Sequence, residues 1–335
     1  MVRMEPPLRS SRTRRGLTSL LLVVLTSGCA ANASPSPSPA VAAVSAQPSV
    51  LQASPSPAAT AIPMLTPEPT PTPHPAPTAT PSAWNLTWSD EFDGAAGSPP
   101  NAANWNINTG DGSGQGLPGW GNQERETYAA DPGAISLDGK GHLVITVRKA
   151  DGSQPCYYGP CEYTSGKIDS RKLKEVQYGK VEARIKVPAG FGIWPAFWML
   201  GNDIYTKPWP ACGEIDVMEN VGRWPNTVLG TLHGPGYYGS SGLSGQIDLK
   251  KPVAAAFHTF AVEWSPAGIV WTVDGVAYHH ATSDDVRAGT WVFDHPFYFV
   301  LNVAVGGNLG GLVDPKLPLP ASMTVDYVRI YEAVP

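Results

Sequence analysis

The chain lacks several features that would place it in other protein classes. Its 23 Lys and Arg and 28 Asp and Glu give a net charge of −5, spread without long runs of one sign. The sequence has no basic stripe of the kind that nucleic-acid binding requires, so we expect no nucleic-acid partner. No segment shows a sustained 3.6-residue period of apolar side chains, which argues against a helical fold.

Residues 30–83 also lack what a folded core requires. They contain no Trp, Tyr or Phe, and all 11 tryptophans of the chain lie at or beyond Trp84. A Pro/Ser/Thr/Ala-rich tract of this kind cannot bury enough apolar surface to fold, so we predict a disordered, partly extended linker. The folded domain is therefore predicted at residues 84–335, which is long enough to bury a substantial core.

Residues 1–29 read as an export signal. Several arginines precede an apolar run at residues 17–25 that is too short to span a bilayer by itself. Gly28-Cys29 then resembles a bacterial lipoprotein box, in which the cysteine carries lipid; an ordinary cleaved signal is the alternative. Arg14-Arg15 also leave twin-arginine export open. We expect an exported protein, either extracellular or anchored to the cell envelope through Cys29.

The remaining cysteines are few. Cys156 and Cys161 flank a short Gly/Pro loop, and an oxidising compartment favours a disulfide between them. Because the closed loop is short, we expect little stabilisation from chain entropy. Cys212 has no predicted partner and lies close to Glu214 in the sequence, so it is either a nucleophile or a buried inert thiol. The interpretation as a buried inert thiol is favoured because cysteine is among the most often buried residues.

The pattern of residues 84–335 is β-structure throughout. Over residues 181–187, apolar and charged side chains alternate without a slip, which is typical of a half-buried antiparallel strand. Residues 268–280 read as a hairpin that turns at Asp274-Gly275. Many short strands with Gly/Pro turns predict an all-β fold, a two-sheet antiparallel β-sandwich or jelly roll. Further strands are predicted at residues 143–148, 257–264, 297–305 and 324–331.

Three carboxylates fall within six residues of one apolar strand. In a regular strand Glu214 and Asp216 share a face, and Glu219 points to the other. A β-bulge at Val217-Met218 would return Glu219 to the face of the other two, and bulges are frequent beside active sites. We therefore predict Glu214, Asp216 and Glu219 in one row.

Such a row suits the cleavage of a glycosidic bond. Mutual repulsion raises the pKa of at least one carboxyl group, so one is protonated while another is ionised. Glycoside hydrolysis needs this combination of general acid and nucleophile. Asp216, between the two glutamates, could hydrogen-bond to either. Trp194 and Trp198 share a face of the preceding strand, either as core residues or as flat platforms for sugar rings.

The run from Glu214 to Glu219 has the form Glu-x-Asp-x-x-Glu and resembles the signature of glycoside hydrolase family 16. Within that family the chain most resembles the bacterial endo-β-1,3-glucanases (laminarinases). The extra residue between the last two carboxylates disfavours the lichenase and xyloglucan branches. One departure is Arg125-Glu126-Thr127, where family members often carry Leu-Gln and an aromatic residue. The resemblance extends to residues 90–94, 119–124, 194–200, 230–234 and 325–328.

The resemblance implies a jelly roll with a concave cleft and retention of anomeric configuration. It implies Glu214 as nucleophile, Glu219 as acid/base and Asp216 as their assistant. Its implied substrate is β-1,3-glucan, with another β-linked polysaccharide (mixed-linkage glucan, agar or carrageenan) or a non-catalytic glucan-binding protein as alternatives. No catalytic cofactor is implied, and we expect a monomer. The residues implied at the sugar-binding cleft are Trp120, Asn122, Trp194, Trp198 and His233.

A structural calcium ion is also expected. In a regular strand Asp326 shares a face with Val328 and Ile330, which should be the core face. An unpaired carboxylate there needs a cation or several donors, and pairing with arginine is the alternative. Glu91, in the opening strand, is a plausible second ligand. The resemblance, in which a calcium often sits on the convex side, adds a backbone carbonyl near Gly141.

Overall fold

The computed structural model describes residues 83–286 and 289–334. The predicted export signal at residues 1–29, the predicted lipidation site Cys29 and all but the last residue of the predicted linker lie outside the described residues. Within the described ranges, no helix is long and apolar enough to cross a membrane.

Strands dominate the described chain. In chain order they are β1 (Trp84–Asp90), β2 (Asn106–Asn108), β3 (Glu126–Tyr128), β4 (Ile135–Leu137), β5 (Leu143–Lys149), β6 (Pro155–Cys156), β7 (Gly159–Pro160), β8 (Tyr163–Ser165), β9 (Lys167–Asp169), β10 (Glu175–Val176), β11 (Gly179–Lys186), β12 (Ile193–Gly201), β13 (Glu214–Glu219), β14 (Thr227–His233), β15 (Leu243–Asp248), β16 (His258–Ser265), β17 (Gly268–Val273), β18 (Val276–Ala281), β19 (Phe297–Val305) and β20 (Ala321–Ala333). One short helix, α1, covers Gly307–Gly310, and single 3₁₀ turns cover Ser113–Gln115, Pro118–Gly121, Gly239–Ser241, Val253–Ala255 and Ser283–Asp285.

The strands form two large sheets and a small ribbon. The ten-stranded sheet has the order β18-β17-β16-β11-β20-β5-β8-β3, with β1 beside β20 and β4 beside β5. The eight-stranded sheet has the order β15-β14-β13-β12-β19-β9-β2, with β10 beside β19. Strands β6 and β7 form the ribbon, which the Cys156–Cys161 disulfide closes. The predicted antiparallel two-sheet fold is confirmed, with one parallel pair, β3 with β8.

The core lies between the two large sheets. Strand β5 alternates between buried and half-buried side chains, as a strand with one core face must. Strand β19 is buried at all nine positions, which matches its nearly continuous apolar sequence. The largest buried aromatic side chains come from both sheets and include Trp264, Trp271, Phe260, Phe197, Phe297 and Phe299.

The predicted hairpin at residues 268–280 is confirmed. Strands β17 and β18 pair from Val273 and Val276 outward, which leaves Asp274-Gly275 as a two-residue turn. Both turn residues have positive φ, 50° for Asp274 and 78° for Gly275. Such a turn matches the twist of the flanking strands, and Asp-Gly is a preferred pair for it.

The predicted position of Asp326 on the core face, from which a calcium ion was expected, is wrong. Strands β11 and β20 pair Arg184 with Tyr327 and Ile185 with Val325, so a bulge at Asp326 interrupts the alternation. The Asp326 side chain is 30% exposed rather than in the core, and its Oδ2 accepts from Arg184 Nη1 at 2.5 Å. The carboxylate therefore has the arginine partner that was the alternative.

Glu91, the second expected carboxylate ligand, is also paired with an arginine. Both oxygens of Glu91 accept hydrogen bonds from Arg329, each at 2.8 Å, so this carboxylate is neutralised as well. Gly141 does lie close to the main-chain carbonyl of Glu91. As carboxylate ligands, Glu91 and Asp326 do not fit a calcium ion in this arrangement, which leaves main-chain oxygens and the Asp93 carboxylate near Gly141 as donors.

Candidate active site

Strand β13 carries the three carboxylates, and a bulge interrupts it where the sequence predicts. The register with both neighbouring strands shifts between Asp216 and Glu219. Val217 and Met218 are both buried in the core, 1% and 0% exposed. With two successive residues turned inward, Glu219 returns to the face that carries Asp216. The predicted bulge at Val217-Met218 is confirmed.

Burial controls the charge of this row. Asp216 is 4% and Glu219 8% exposed. Burial, followed by the charge of Asp216, raises the pKa of Glu214 to about 8 and that of Glu219 to about 8. Burial also raises the pKa of Asp216, to about 7. At neutral pH the three groups therefore hold protons between them and titrate as a cluster.

Each carboxylate has a specific polar neighbour. Trp194 Nε1 donates to Glu219 Oε1 at 2.8 Å. His233 Nε2, on β14, lies 3.3 Å from Asp216 Oδ2. Carboxylate oxygens of Glu214 and Asp216 lie within 4.8 Å of each other, and after burial the charge of Asp216 is the largest cause of the raised pKa of Glu214. Cleavage of a glycosidic bond requires an ionised carboxylate as nucleophile and a protonated carboxyl group as general acid.

Trp209 is a site residue that the sequence argument did not select. Its side chain lies beside Glu214 and opposes the rise in the pKa of that group. The indole is 41% exposed and lies 6.1 Å from the His233 ring and 5.4 Å from the Tyr238 ring, centroid to centroid. Its only sequence signal was its place five residues before Glu214.

A hydrogen-bonded chain runs from the expected sugar-binding residue Trp198 to Asn122. Trp198 Nε1 donates to Asn302 Oδ1 at 2.8 Å, and Asn302 Nδ2 donates to the Tyr128 hydroxyl at 3.0 Å. Tyr128 donates to Glu124 Oε2, and Asn122 Nδ2 donates to Glu124 Oε1, both at 3.1 Å. The structure thereby brings Trp198 and Asn122 into one network.

Lys167 joins Trp120 to the same region. Its ammonium lies 4.0 Å from the centroid of the Trp120 ring, 5.2 Å from that of Trp198 and 5.7 Å from that of Tyr128. Burial lowers the pKa of Lys167, and Glu124 is the largest opposing influence. Sequence reasoning missed this lysine because the three-residue strand β9 has too few positions to show alternation.

Cys212 takes no part in this chemistry. The thiol is buried and has no disulfide partner among the described residues, and burial followed by the charge of Glu214 raises its pKa to about 12. A thiol that stays protonated at neutral pH is a poor nucleophile. The inert interpretation of Cys212 agrees with this environment.

Comparisons with known proteins agree with the fold. The family described as "Glycosyl hydrolases family 16" matches residues 122–329. The beta-glucanase of Rhodothermus marinus is 38% identical over 261 residues, which cover 75% of this chain and 86% of that protein. The laminarinase catalytic domain of Thermotoga maritima MSB8 superposes with a TM-score of 0.71 at 42% identity, covering 75% of this chain and 99% of that one. The endo-beta-1,3-glucanase of Pyrococcus furiosus gives a TM-score of 0.71 at 45% identity, covering 75% and 95%.

Proposed function

The chain belongs to glycosyl hydrolase family 16 and is a glycoside hydrolase, and on that premise we propose that it cleaves internal bonds of β-1,3-glucan with retention of configuration. The observation that carries the mechanism is the bulged row of Glu214, Asp216 and Glu219 on one face of β13, in which Asp216 and Glu219 are buried and Glu214 is half-buried. Family 16 chemistry needs no catalytic cofactor.

The first step uses Glu214 and Glu219 together. The ionised Glu214 attacks the anomeric carbon, and the bond to the leaving oxygen breaks as Glu219 gives that oxygen its proton. The product is a glycosyl ester on Glu214 with inverted configuration. Asp216 assists this step because its pKa, about 7, lies close to that of Glu214, about 8, so Asp216 can accept the proton of Glu214 and leave the nucleophile ionised.

The second step reverses the role of Glu219. Now ionised, Glu219 removes a proton from a water molecule, whose oxygen attacks the anomeric carbon and releases Glu214. A second inversion restores the β configuration. The Trp194 N–H holds the Glu219 carboxyl at 2.8 Å through both steps and favours its ionised form.

The polysaccharide substrate would lie across the eight-stranded sheet. We assign Trp194 and Trp198 as sugar platforms because both indoles are half-buried on the face of the carboxylates. Trp120 and Asn122 extend that surface through the Lys167 and Glu124 contacts. His233 completes it on the other side of β13, beside Asp216.

Reducing-sugar release from laminarin, barley mixed-linkage glucan and agarose tests the substrate assignment. Laminarin should be cleaved fastest, and proton NMR of the first product should show the β anomer. Glu214→Gln should abolish release while the circular dichroism spectrum stays native. If agarose is cleaved faster than laminarin, the substrate is the alternative β-linked polysaccharide. If laminarin is bound but not cleaved, the protein is a glucan-binding protein.

A structural calcium ion on the ten-stranded sheet is proposed as a further component. Its support is the family resemblance and the proximity of Gly141 to the Glu91 carbonyl, since both expected carboxylates are paired with arginine. Calcium binding to the native state alone would raise the melting temperature by mass action. A chelator should then lower the melting temperature and spare activity at low temperature. An unchanged melting temperature in protein shown to be metal-free would exclude the ion.

We propose export and lipid modification at Cys29. The support is the arginine-rich start, the apolar run at residues 17–25 and Gly28-Cys29 before a proline-rich linker. Mass spectrometry of the protein from a bacterial membrane fraction should find a diacylglyceryl group on Cys29, and Cys29→Ser should move the enzyme to the soluble fraction. An unmodified N-terminus beyond Cys29 would contradict the proposal.

A further inference from the structure

Trp271 reaches the catalytic strand from the opposite sheet. It lies in β17 of the ten-stranded sheet and is 0% exposed. Its Nε1 donates a 2.8 Å hydrogen bond to the main-chain carbonyl of Asp216, in β13 of the eight-stranded sheet. The indole thus links the two sheets across the core at the middle carboxylate of the row.

The carbonyl that Trp271 meets lies where the bulge begins. The register of β13 with β14 is regular up to Asp216, opposite Thr231, and resumes at Glu219, opposite Leu229. Carbonyls of a regular strand point along the sheet toward neighbouring strands, so a donor from the opposite sheet meets only one that has turned out of the ladder. A buried carbonyl turned inward without a donor would disfavour the bulge, and the indole N–H supplies that donor.

Gly230 leaves the room that this contact needs. It lies in β14 opposite Val217-Met218, and a Cβ there would be 2.8 Å from Trp271 Nε1 and 2.6 Å from the Tyr278 hydroxyl. Its φ is not positive, so the backbone conformation does not require glycine. Space for the indole is therefore the physical reason for a glycine at this position.

A second bulge faces the first across the core. Strands β17 and β18 pair Trp271 with His279 and Thr272 with Ala277, which makes Tyr278 the extra residue. The side chains of Trp271 and Tyr278 converge on Gly230. The bulge in β18 of the ten-stranded sheet therefore packs against β14 next to the bulge of the catalytic strand β13.

We propose that Trp271 is a positioning residue for acid/base catalysis, whose indole N–H holds the β13 bulge and, through it, Glu219 on the face of Glu214. The inference rests on the proposed role of Glu219. Glu214 and Asp216 precede the bulge and stay in register without the indole donor. Glu219 follows the bulge, so its carboxyl is the one displaced when the bulge relaxes.

Trp271→Phe removes the donor and keeps a buried aromatic ring. Trp264→Phe is the matched control, because Trp264 is also buried, lies on the neighbouring strand β16, and donates to a main-chain carbonyl, that of Phe293, at 3.1 Å. Both variants lose one indole hydrogen bond in the same core. Only Trp271→Phe loses a bond to the catalytic strand.

Activity on two substrates distinguishes a displaced Glu219 from a general loss of native structure. Laminarin needs a proton from Glu219 to release its leaving group, whereas dinitrophenyl β-laminaribioside has a leaving group that departs without one. Trp271→Phe should lower kcat/KM on laminarin by about tenfold to a hundredfold, as expected for a displaced acid. Its kcat/KM on the aryl glycoside should stay near that of the wild type, and Trp264→Phe should keep both values near wild type despite similar loss of melting temperature.

Gly230→Ala presses a methyl group against the indole and should give the same selective loss. If Trp271→Phe does not fold, benzothienylalanine at position 271 keeps the indole shape without the N–H and replaces it in the test. Equal losses on the two substrates, or a laminarin loss no greater than in Trp264→Phe, would overturn the inference. A crystal structure of the variant decides the matter whatever the substrate is: an intact bulge with Glu219 unmoved would refute the proposal and leave the function standing.

Discussion

Replacing Asp216 by Asn should move the whole pH profile of catalysis to lower pH. The substitution preserves the shape of the side chain and removes the buried carboxyl charge in the middle of the row. The charge of Asp216 is the second largest cause, after burial, of the raised pKa values of Glu214 and Glu219. Without it, both glutamates should ionise at lower pH.

The size of the shift follows from the separation of the groups. A carboxylate oxygen of Asp216 lies within 4.8 Å of one of Glu214. Coulomb's law with an effective dielectric constant of about 20 gives about 3.5 kcal/mol at that distance, equivalent to about 2.5 pKa units. The pKa of Glu214, about 8 in the intact row, should therefore fall by up to this amount.

The assay is kcat/KM for laminarin between pH 4 and pH 10, which reports the ionisations of the free enzyme. The acidic limb reflects ionisation of the nucleophile and the alkaline limb reflects loss of the acid proton, so lower pKa values carry both limbs toward acid. Asp169→Asn is the control, since Asp169 is buried on β9 of the same sheet and accepts hydrogen bonds from Asn106, Asn108 and the main-chain N–H of Arg171. An Asp216→Asn profile at the wild-type position, or one displaced toward alkaline pH, would refute the electrostatic reasoning.

Two further predictions concern the other carboxyls. In azide, Glu219→Ala should regain turnover and give a β-glycosyl azide, whereas Glu214→Ala should give the α product; the opposite products would mean that the two roles are exchanged. Glu126 is 0% exposed, its Oε1 has no hydrogen-bond partner in the described part of the chain, and burial followed by the charge of Glu124 raises its pKa well above the usual range. A raised folded-state pKa costs stability as pH rises above the unfolded value, so Glu126→Gln should gain about 1–3 kcal/mol in urea unfolding at pH 8 and much less at pH 4; equal stability of the two proteins at pH 8 would contradict it.

The main features of the fold could be predicted from short-range patterns. Alternation locates β5 and β11, and the Asp274-Gly275 pair locates a hairpin turn, because each depends on a few neighbouring residues. Strand β19 was recognisable from its apolar run alone. The parallel pairing of β3 with β8 has no local signal, since it depends on how segments more than thirty residues apart meet at the sheet edge.

The part of the site that could be predicted from the sequence is the part whose acidic residues lie close together in one segment. The motif from Glu214 to Glu219 lies in a single strand, so the sequence alone brings its carboxylates together. Trp209 and Lys167 lie on other segments and reach the site only through tertiary packing. Neither carries a local pattern that separates it from an ordinary surface or core residue.

Bulges explain both the success at Glu219 and the error at Asp326. Alternation assigns a side chain to a face only while the register is uninterrupted, and one extra residue reverses every assignment beyond it. At Val217-Met218 a bulge was predictable because a regular strand would place Glu219 in the core, apart from the two carboxylates that share its chemistry. At Asp326 a regular strand would likewise have buried a carboxylate, and the same reasoning favours a bulge there, as observed. A buried carboxylate predicted by alternation is therefore evidence for a break in register before it is evidence for a bound ion.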